Sequence, residues 1–390
     1  MIRANSYRYL GRTEASQKLP RGKTRWKVLA AGVGACLLLP LITTPAEAQN
    51  SNLNSVTSVT PSTPPGCTRI LPSSTTMNAD GSTTYRFHYE AATITQVLPP
   101  KGFDVATATS SALARYQVPV LSSQERTQLH GPLRATIGLS ACPHVTAGYV
   151  GSIQSDNWSG ILTPPNTANY DGANGEFNQT GFRSCPNENS GESSWIGIGG
   201  WLGGPLLQTG TVTPNPSSTA TNEFVEWIGK NGADSGALTG AAVAPGDPVV
   251  SQVAWNPGPS NGNGTFTYTT VDLISDQYDS ASVSLPENNY DPASGPSGAT
   301  AEAVDERPIW NPSHEYEALK PFYSGTVYWD NFSMGPTSNP RQDPYSSVPF
   351  DTLYMTSTAN TSQRLANPTS YGSGSITDTW IQCGVWQPVQ

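Results

Sequence analysis

The chain has 390 residues, of which 36% are hydrophobic and only 13% are charged, with 37 glycines and 34 prolines. That charged fraction is about half the ~25% typical of soluble domains. The composition disfavours a helical bundle and favours strands and turns. A formal net charge of -9 disfavours non-specific nucleic-acid binding, so we expect no nucleic-acid partner.

The chain opens with a pattern typical of an export signal. A basic stretch, Arg21 to Lys27, precedes an uncharged run from Val28 to Ile42 and a small-x-small site that ends at Ala48. The apolar run is short for a membrane span, which needs ~20 residues. We therefore expect residues 1–48 to be a signal peptide cleaved near Ala48, and the protein to be secreted without stable membrane association. A retained signal anchor is the alternative.

Four cysteines remain once the leader is removed: Cys67, Cys142, Cys185 and Cys383. An even number in an oxidising compartment indicates two disulfides, and three pairings are possible. We favour Cys67–Cys142 and Cys185–Cys383, because each then joins residues within one of the two segments described next. No two of these cysteines have C-x-x-C spacing, so we expect no metal site from them.

Residues 49–150 form a mixed segment that we interpret as a propeptide or N-terminal segment. It begins with a Ser, Thr, Asn and Pro-rich stretch that has little to bury. The alternation from Thr83 to Glu90 predicts a strand. A short helix follows Phe103, with Asp104 expected to cap its start and Pro119 to follow its end.

The composition changes at about Gly151, and residues 151–390 hold six basic against 23 acidic residues. Carboxylates at this density repel one another at neutral pH, and the repulsion is relieved when they are protonated in acidic surroundings. An acidic surface that only keeps the protein soluble explains the charges equally well. Short apolar and aromatic runs recur between Gly, Asn and Pro clusters, which predicts an all-β sandwich or barrel. The predicted strands are Trp195–Gly199, Leu206–Thr211, Glu223–Ile228, Val249–Trp255, Thr265–Ile274, Ser280–Leu285, Thr326–Phe332 and Ser375–Ile381.

The sequence contains no convincing motif for a catalytic nucleophile or for a catalytic metal. One formal G-x-S-x-G, around Ser260, lies in a Pro, Gly and Asn stretch without the strand and helix that a nucleophile elbow needs. Of the four histidines only His314 lies in the β-rich part, and there is no H-E-x-x-H or phosphate-binding loop. Carboxylates and amides remain, and we expect no metal or other cofactor.

Several short blocks in the β-rich part carry such groups. They are Asn-Trp-Ser-Gly from Asn157, Trp-Ile-Gly-Ile-Gly-Gly from Trp195, Leu-Leu-Gln-Thr-Gly from Leu206, and Ala-Glu-Ala-Val-Asp-Glu-Arg-Pro from Ala301. Taken singly, they could be Gly-rich sandwich segments and an acidic surface turn. In this order they resemble the glutamic peptidases, or eqolisins, over roughly residues 156–380.

The resemblance implies a fold, an activity and a set of site residues. The fold is an antiparallel β-sandwich of two packed sheets, like that of concanavalin A, and the activity is that of an acid-acting endopeptidase on polypeptides, here expected to be a monomer. The catalytic glutamine falls on Gln208 and the catalytic glutamate on Glu306. The residues expected to line the substrate cleft are Trp158, Trp195, Phe224 and Glu226.

Two positions depart from the better-studied fungal members of the family. This chain has Gly199 where they have an acidic residue, and Ala303 where they have an aromatic one. Two other functions remain as alternatives. A sandwich with exposed Trp and few charges could be a non-catalytic, lectin-like carbohydrate-binding module, and a carboxylate pair could serve a glycosidase, where Gln208 would have no natural role.

Overall fold

The computed structural model of the chain describes most of residues 55–388. The described residues are 55–64, 67–90, 92–141, 154–166, 168–183, 185, 190–214, 218, 220–230, 235–259, 261–308, 315–316, 318–319, 326–357, 360–371, 375–384 and 387–388. The predicted signal peptide lies outside them. Among them, no helix is both long enough and apolar enough to cross a membrane.

Strands dominate, as the composition predicts. Up to residue 141 the elements are β1 Val56–Val59, β2 Thr68–Ile70, β3 Ser74–Met77, β4 Thr83–Tyr89, β5 Ala92–Leu98, α1 Ser110–Arg115, α2 Ser123–Gln128, β6 Leu133–Thr136 and β7 Leu139–Ala141. From residue 154 they are β8 Gln154–Ser155, β9 Trp158–Leu162, β10 Gly172–Asn178, β11 Ser190–Gly191, β12 Ser193–Gly199, β13 Leu206–Val212, β14 Thr221–Ile228, β15 Ser235–Val243, β16 Pro248–Asn256, β17 Asn263–Asp272, β18 Gln277–Pro286, α3 Glu287–Tyr290, β19 Ala301–Glu306, β20 Glu315–Tyr316, β21 Ala318–Leu319, β22 Thr326–Gly335, β23 Asp343–Pro344, β24 Asp351–Ser357, β25 Asn360–Arg364, β26 Ala366–Tyr371, β27 Ser375–Trp380 and β28 Gln387–Pro388.

Two large sheets contain most of these strands. Sheet I runs in the order β26-β27-β22-β10-β16-β17-β18-β5-β4-β3, with β6 bridging β18 to β1 and β23 beside β22. Sheet II runs in the order β2-β7-β15-β14-β13-β12-β19-β9-β24-β25, with β8 beside β24. Nearly all described pairings are antiparallel. The parallel ones are β1–β6, β6–β18, β8–β24 and, in a separate two-stranded sheet, β11–β21.

The two sheets pack face to face around one apolar core. Sheet I contributes residues such as Val253 and Phe266, and sheet II contributes Ile196, Leu207 and Val225, all with an exposed fraction of 0%. Because side chains alternate along a strand, the neighbours of these residues point away from the core. The predicted antiparallel β-sandwich is confirmed.

The residues up to 141 are built into this sandwich. Strands β5 and β6 pair with β18 at the side of sheet I, and β7 pairs with β15 of sheet II. Phe87 and Ile94 belong to the core between the sheets. The first segment therefore extends both sheets.

The short helix of this segment begins later than the sequence predicts. Helix α1 starts at Ser110 and its cap is Thr109, whose hydroxyl accepts from the Ala112 amide. The prediction that Asp104 caps the helix is wrong. Its carboxylate instead accepts from the Ala106 amide and the Thr107 hydroxyl and closes a separate turn.

The disulfide between Cys185 and Cys383 is confirmed, with the two Cα atoms 5.9 Å apart. It links the start of the β-rich part to the end of the chain, 198 residues later. Cys67 is also disulfide-bonded. Its predicted partner, Cys142, lies outside the described residues.

Carboxyl groups are buried in the sandwich interior. Asp279 of β18 accepts hydrogen bonds from Gln96 Nε2 at 2.9 Å and Tyr268 Oη at 3.3 Å, yet burial raises its pKa to about 7. Burial raises the pKa of Asp378 to about 6. It also raises the pKa of Glu223 well above its usual range, helped by the charge of Asp279. These groups favour the neutral form in the folded protein.

We predict that the fold is most stable in acid. A carboxyl whose pKa is raised by folding keeps its proton where the unfolded chain has lost it, so its contribution is complete below pH about 4. The contribution is lost as the pH rises through about 6 for Asp378 and about 7 for Asp279. The urea concentration at which half of the protein is unfolded should therefore decrease as the pH is raised from 4 to 7. The corresponding loss in the free energy of unfolding is on the order of a few kcal/mol.

Asp378→Asn provides the control for this prediction. An amide is neutral at every pH, so this variant should lose part of the decline while it remains folded at pH 4. A urea midpoint in the unmodified chain that stays constant, or rises, from pH 4 to pH 7 would contradict the prediction.

Candidate active site

All six predicted site residues lie on one face of sheet II, the face turned away from sheet I. The strands β14, β13, β12, β19 and β9 are consecutive neighbours in that sheet. Inward-pointing Leu207 and Val225 belong to the core between the sheets, whereas Trp158, Trp195 and Phe224 belong to a second apolar cluster. Alternation along the strands puts the remaining three, Gln208, Glu226 and Glu306, on the side of that second cluster.

The strand register sets the relation between the glutamine and the glutamate. Gln208 lies opposite Gly197 of β12, and Gly197 lies opposite Glu302 of β19. Glu306 is four residues further along β19. The two predicted catalytic residues are therefore two strands apart and offset by four positions, and Trp195, which pairs with Val304, lies between them. The residue of β19 in register with Gln208 is Glu302.

Trp195 fills this diagonal because Gly197 lacks a side chain. A Cβ atom at Gly197 would come within 2.7 Å of the indole ring. The ring therefore lies directly over the residue that pairs with Gln208. On its other side, Trp195 Nε1 donates to Glu306 Oε2 at 2.8 Å. One indole thus spans the interval between the two groups.

The amide of Gln208 is held by a buried acid. Gln208 Nε2 donates to Glu226 Oε2 at 2.5 Å, and in the described residues Gln208 Oε1 has no hydrogen-bond partner. Burial, followed by the charge of Glu306, raises the pKa of Glu226 well above its usual range. Glu226 and Glu306 are therefore close enough to interact electrostatically, and Glu226 is neutral in acid.

The carboxylate of Glu306 accepts from two N–H donors. Asn157 Nδ2 donates to Oε1 at 2.8 Å, and the Trp195 indole donates to Oε2 at 2.8 Å. Donors of this kind stabilise the ionised form of a carboxyl. Sequence reasoning did not give Asn157 a role. The signal was present, because Asn157 opens the Asn-Trp-Ser-Gly block.

The charged neighbours of Glu306 in the sequence are dispersed in space. Asp305 points to the opposite face, where it accepts from Ser194 Oγ at 2.7 Å. Arg307 is buried and donates through Nε to the carbonyl of Asp156. Glu302 shares the face of Glu306, and burial raises its pKa well above its usual range.

The two departures from the fungal pattern have different structural settings. Gly199 has φ +82, and a Cβ atom there would lie 2.3 Å from the carbonyl oxygen of Pro205. The backbone at that position leaves no room for an acidic side chain. Ala303 belongs to the core between the sheets. The small side chain of Ala303 therefore affects the packing between the two sheets and does not lie on the face that carries the candidate site.

The site is closed in this structure. Phe224 has an exposed fraction of 3%, and the other five predicted site residues have 1% or less. Trp158 packs edge-on against Trp195 with ring centroids 5.0 Å apart, and Trp201 and Leu202 complete the apolar cluster. The resemblance had predicted that these residues line a substrate cleft, whereas in this structure they are buried.

In the part of the chain that the structure describes, no group of three or more His, Cys, Asp or Glu side chains is placed to hold a metal ion.

Comparison with known proteins finds a family match over part of the chain. Residues 156–302 match the Peptidase A4 family. This range contains Trp158, Trp195, Gln208, Phe224 and Glu226, and it ends four residues before Glu306. No curated protein matches the chain.

Solved structures with a similar fold are themselves glutamic peptidases. Scytalido-glutamic peptidase, crystallised with a transition state analog inhibitor, is 18% identical, with 58% of this chain and 98% of that chain covered at a TM-score of 0.41. SCP-B, a member of the eqolisin family in a complex with the tripeptide Ala-Ile-His, is 16% identical at the same coverage, with a TM-score of 0.39.

The match of residues 156–302 to the Peptidase A4 family confirms the resemblance predicted from the sequence blocks and, with it, the predicted enzyme class of a glutamic endopeptidase.

We predict that the indole N–H of Trp195 is needed for activity. Trp195→Phe keeps an aromatic ring but removes the donor to Glu306, and a hydrogen bond to a charged group is worth about 1.5–3 kcal/mol. The value of kcat/KM at pH 3 should fall roughly 10- to 100-fold.

Trp158→Phe is the matched control, because in the described residues Trp158 Nε1 has no hydrogen-bond partner. Its kcat/KM should stay within a few-fold of the unmodified chain. Equal losses in the two variants would refute a special role for the Trp195 donor.

Proposed function

We propose that this chain is a secreted, monomeric, acid-acting endopeptidase in which Gln208 and Glu306 activate water directly, without a covalent intermediate or a cofactor. The observation that carries the proposal is the orientation of the two groups. Gln208 is fixed through its nitrogen by Glu226, and Glu306 is fixed by Asn157 and Trp195, all on one face of sheet II.

In the first step, Glu306 acts as a general base. Its carboxylate takes a proton from water as the water oxygen bonds to the scissile carbonyl carbon. Gln208 Oε1, which has no partner among the described residues, accepts the second water hydrogen and orients the water. The product of this step is a tetrahedral oxyanion and a neutral Glu306.

Gln208 also stabilises the oxyanion. One hydrogen of its NH₂ group goes to Glu226, and the other can be donated to the negative oxygen. A single donor of this type lowers the barrier by about 3–4 kcal/mol. An amide never ionises, so it supplies this donor at any pH without competing with Glu306 for a proton.

The second step returns the proton. Neutral Glu306 delivers it to the amine nitrogen, the carbon–nitrogen bond breaks, and the oxyanion reverts to a carboxyl group. Glu306 regains its charge and is ready for the next water. The products are one new carboxyl terminus and one new amino terminus, with no atom left on the enzyme.

The mechanism needs Glu306 ionised and Glu226 neutral, and acid conditions are compatible with both. Asn157 and Trp195 stabilise the ionised form of Glu306, which the first step needs. Burial and the nearby charge of Glu306 keep Glu226 neutral. If Glu226 ionised, a second negative charge would oppose the developing oxyanion. The alkaline limb of activity should therefore reflect Glu226.

Substrate side chains would meet an aromatic wall. Trp158, Trp195 and Phe224 share the face of the dyad, and aromatic surface favours apolar side chains.

Export through residues 1–48 and cleavage within residues 145–155 at low pH complete the proposal, so the first segment acts as part of a zymogen. An autocatalytic cut requires Glu306, and Glu306→Gln should therefore remain uncut at pH 3–4.

We predict that both members of the dyad are essential. Gln208→Ala and Glu306→Gln should each lower casein digestion at pH 3–4 by about 100-fold or more, because each removes a group that acts in the transition state. Chelators should have no effect. Binding to polysaccharide without proteolysis in the unmodified chain would instead support a lectin-like module.

Glu302→Gln is the matched control for the dyad prediction. It changes a buried glutamate on the same strand and face, and the carboxyl it replaces is already neutral in acid. Activity should stay within about tenfold of the unmodified chain. If Glu302→Gln is inactive while Glu306→Gln is active, the roles of the two glutamates are reversed.

We predict that Glu226→Gln extends activity to higher pH. The substituted side chain keeps an oxygen that can accept from Gln208, but it cannot ionise. Because the pKa of Glu226 is raised, the unmodified enzyme should lose activity as the pH rises through that pKa. The alkaline limb of kcat/KM should move upward in Glu226→Gln, and an unchanged limb would exclude Glu226 as its source.

A further inference from the structure

The outward face of sheet I is covered by the segment that precedes the peptidase part of the chain. Side chains from β16, β17 and β18 form an apolar cluster with this segment, among them Val250, Val271 and Tyr278. The segment contributes Leu113, Leu121 and Leu133, none exposed by more than 5%. Removing the segment would expose this surface to water, at roughly 25 cal/mol per Å² of apolar area.

The same segment also completes the sheets. Strand β18 pairs with β5 through Ser282–Ser284 and with β6 through Gln277 and Tyr278. Strand β15 of sheet II pairs with β7. Without the segment, these strands would present unpaired backbone groups at exposed edges, which favours aggregation.

Buried polar contacts join the two parts as well. Glu125 has an exposed fraction of 0%, and its carboxylate pairs with Arg341 at 3.0 Å. Gln96 donates to Asp279, and Gln117 Nε2 donates to Ser282 Oγ at 2.9 Å. Taking away one partner of such a buried pair leaves the other without compensation, which is more costly than never forming the pair.

These three observations indicate a surface built for lasting contact. In addition, the described helices of the segment lie on sheet I, whereas the candidate active site lies on the outward face of sheet II. We propose that residues 55–141 are a permanent structural partner of the sandwich, which stays bound after the chain is cut within residues 145–155. The mature enzyme is then a complex of two fragments. This proposal rests on the cut proposed above, but not on the roles of Gln208 and Glu306 in catalysis.

The experiment uses the full chain carrying Glu306→Gln, so that peptidase activity plays no part. A recognition sequence for a site-specific protease is inserted between residues 145 and 150, and the folded protein is cut. We expect two fragments on a denaturing gel that elute together as one species in size exclusion. Separate elution, with a sandwich fragment that keeps its urea midpoint after the other is removed, would overturn the proposal.

A pair of leucine variants tests the assigned surface. Leu133 has an exposed fraction of 1% in the cluster on sheet I, whereas Leu71, in the same segment, is 71% exposed. In the cut protein, Leu133→Ala should raise the dissociation constant of the two fragments roughly 30-fold or more. Leu71→Ala should leave it unchanged. Equal behaviour of the two variants would show that this cluster does not hold the fragments together.

Refolding gives an independent measurement if the inserted sequence disturbs the link. The two fragments are separated in denaturant and then diluted together or alone. We expect the sandwich fragment to recover its fold only in the presence of residues 55–141. Full recovery of the sandwich fragment on its own would contradict the proposal.

Discussion

The indole of Trp195 connects the groups on which the outward face of sheet II depends. Its ring lies over Gly197, the residue that pairs with Gln208, and its N–H reaches the carboxylate of Glu306. Any side chain at position 197 would displace the ring and, with it, the donor. The need for a glycine at position 197 of β12 thus determines whether the carboxylate of Glu306 on β19 receives a hydrogen bond from the indole. The Asn157 amide supplies the second donor, so the carboxylate is held from two sides.

Alternation along a strand could be read from the sequence only where one face of the strand is less buried than the other. Strand β17 alternates between buried and half-buried residues, and its pattern is visible in the sequence. Strand β9 is buried along its whole length, as is β19, so no alternation marks them. The two glutamates of β19 could therefore be taken for an acidic turn. The predicted end of β17 at Ile274 is wrong by two residues, because Asp272 Oδ1 accepts from two following amides and turns the chain.

Some features of the candidate site could likewise be predicted from the sequence, and others could not. Family resemblance, rather than spacing, singled out Gln208 and Glu306, since nothing in a sequence states which strands become neighbours. The contact between Gln208 and Glu226 spans 18 positions along the chain and follows from the β13–β14 register. The closure of the face and the role of Asn157 depend on packing between distant segments. Such contacts are set by the fold as a whole, and short motifs do not encode them.

Gly199 has a consequence for how sequences of this kind can change. Its backbone conformation and the nearby carbonyl of Pro205 leave no space for even one carbon of a side chain. An acidic side chain at position 199 would therefore require the loop around Pro205 to shift as well. The turn restricts this position to glycine, so the carboxyl groups on this face can be tuned only by substitutions at other positions.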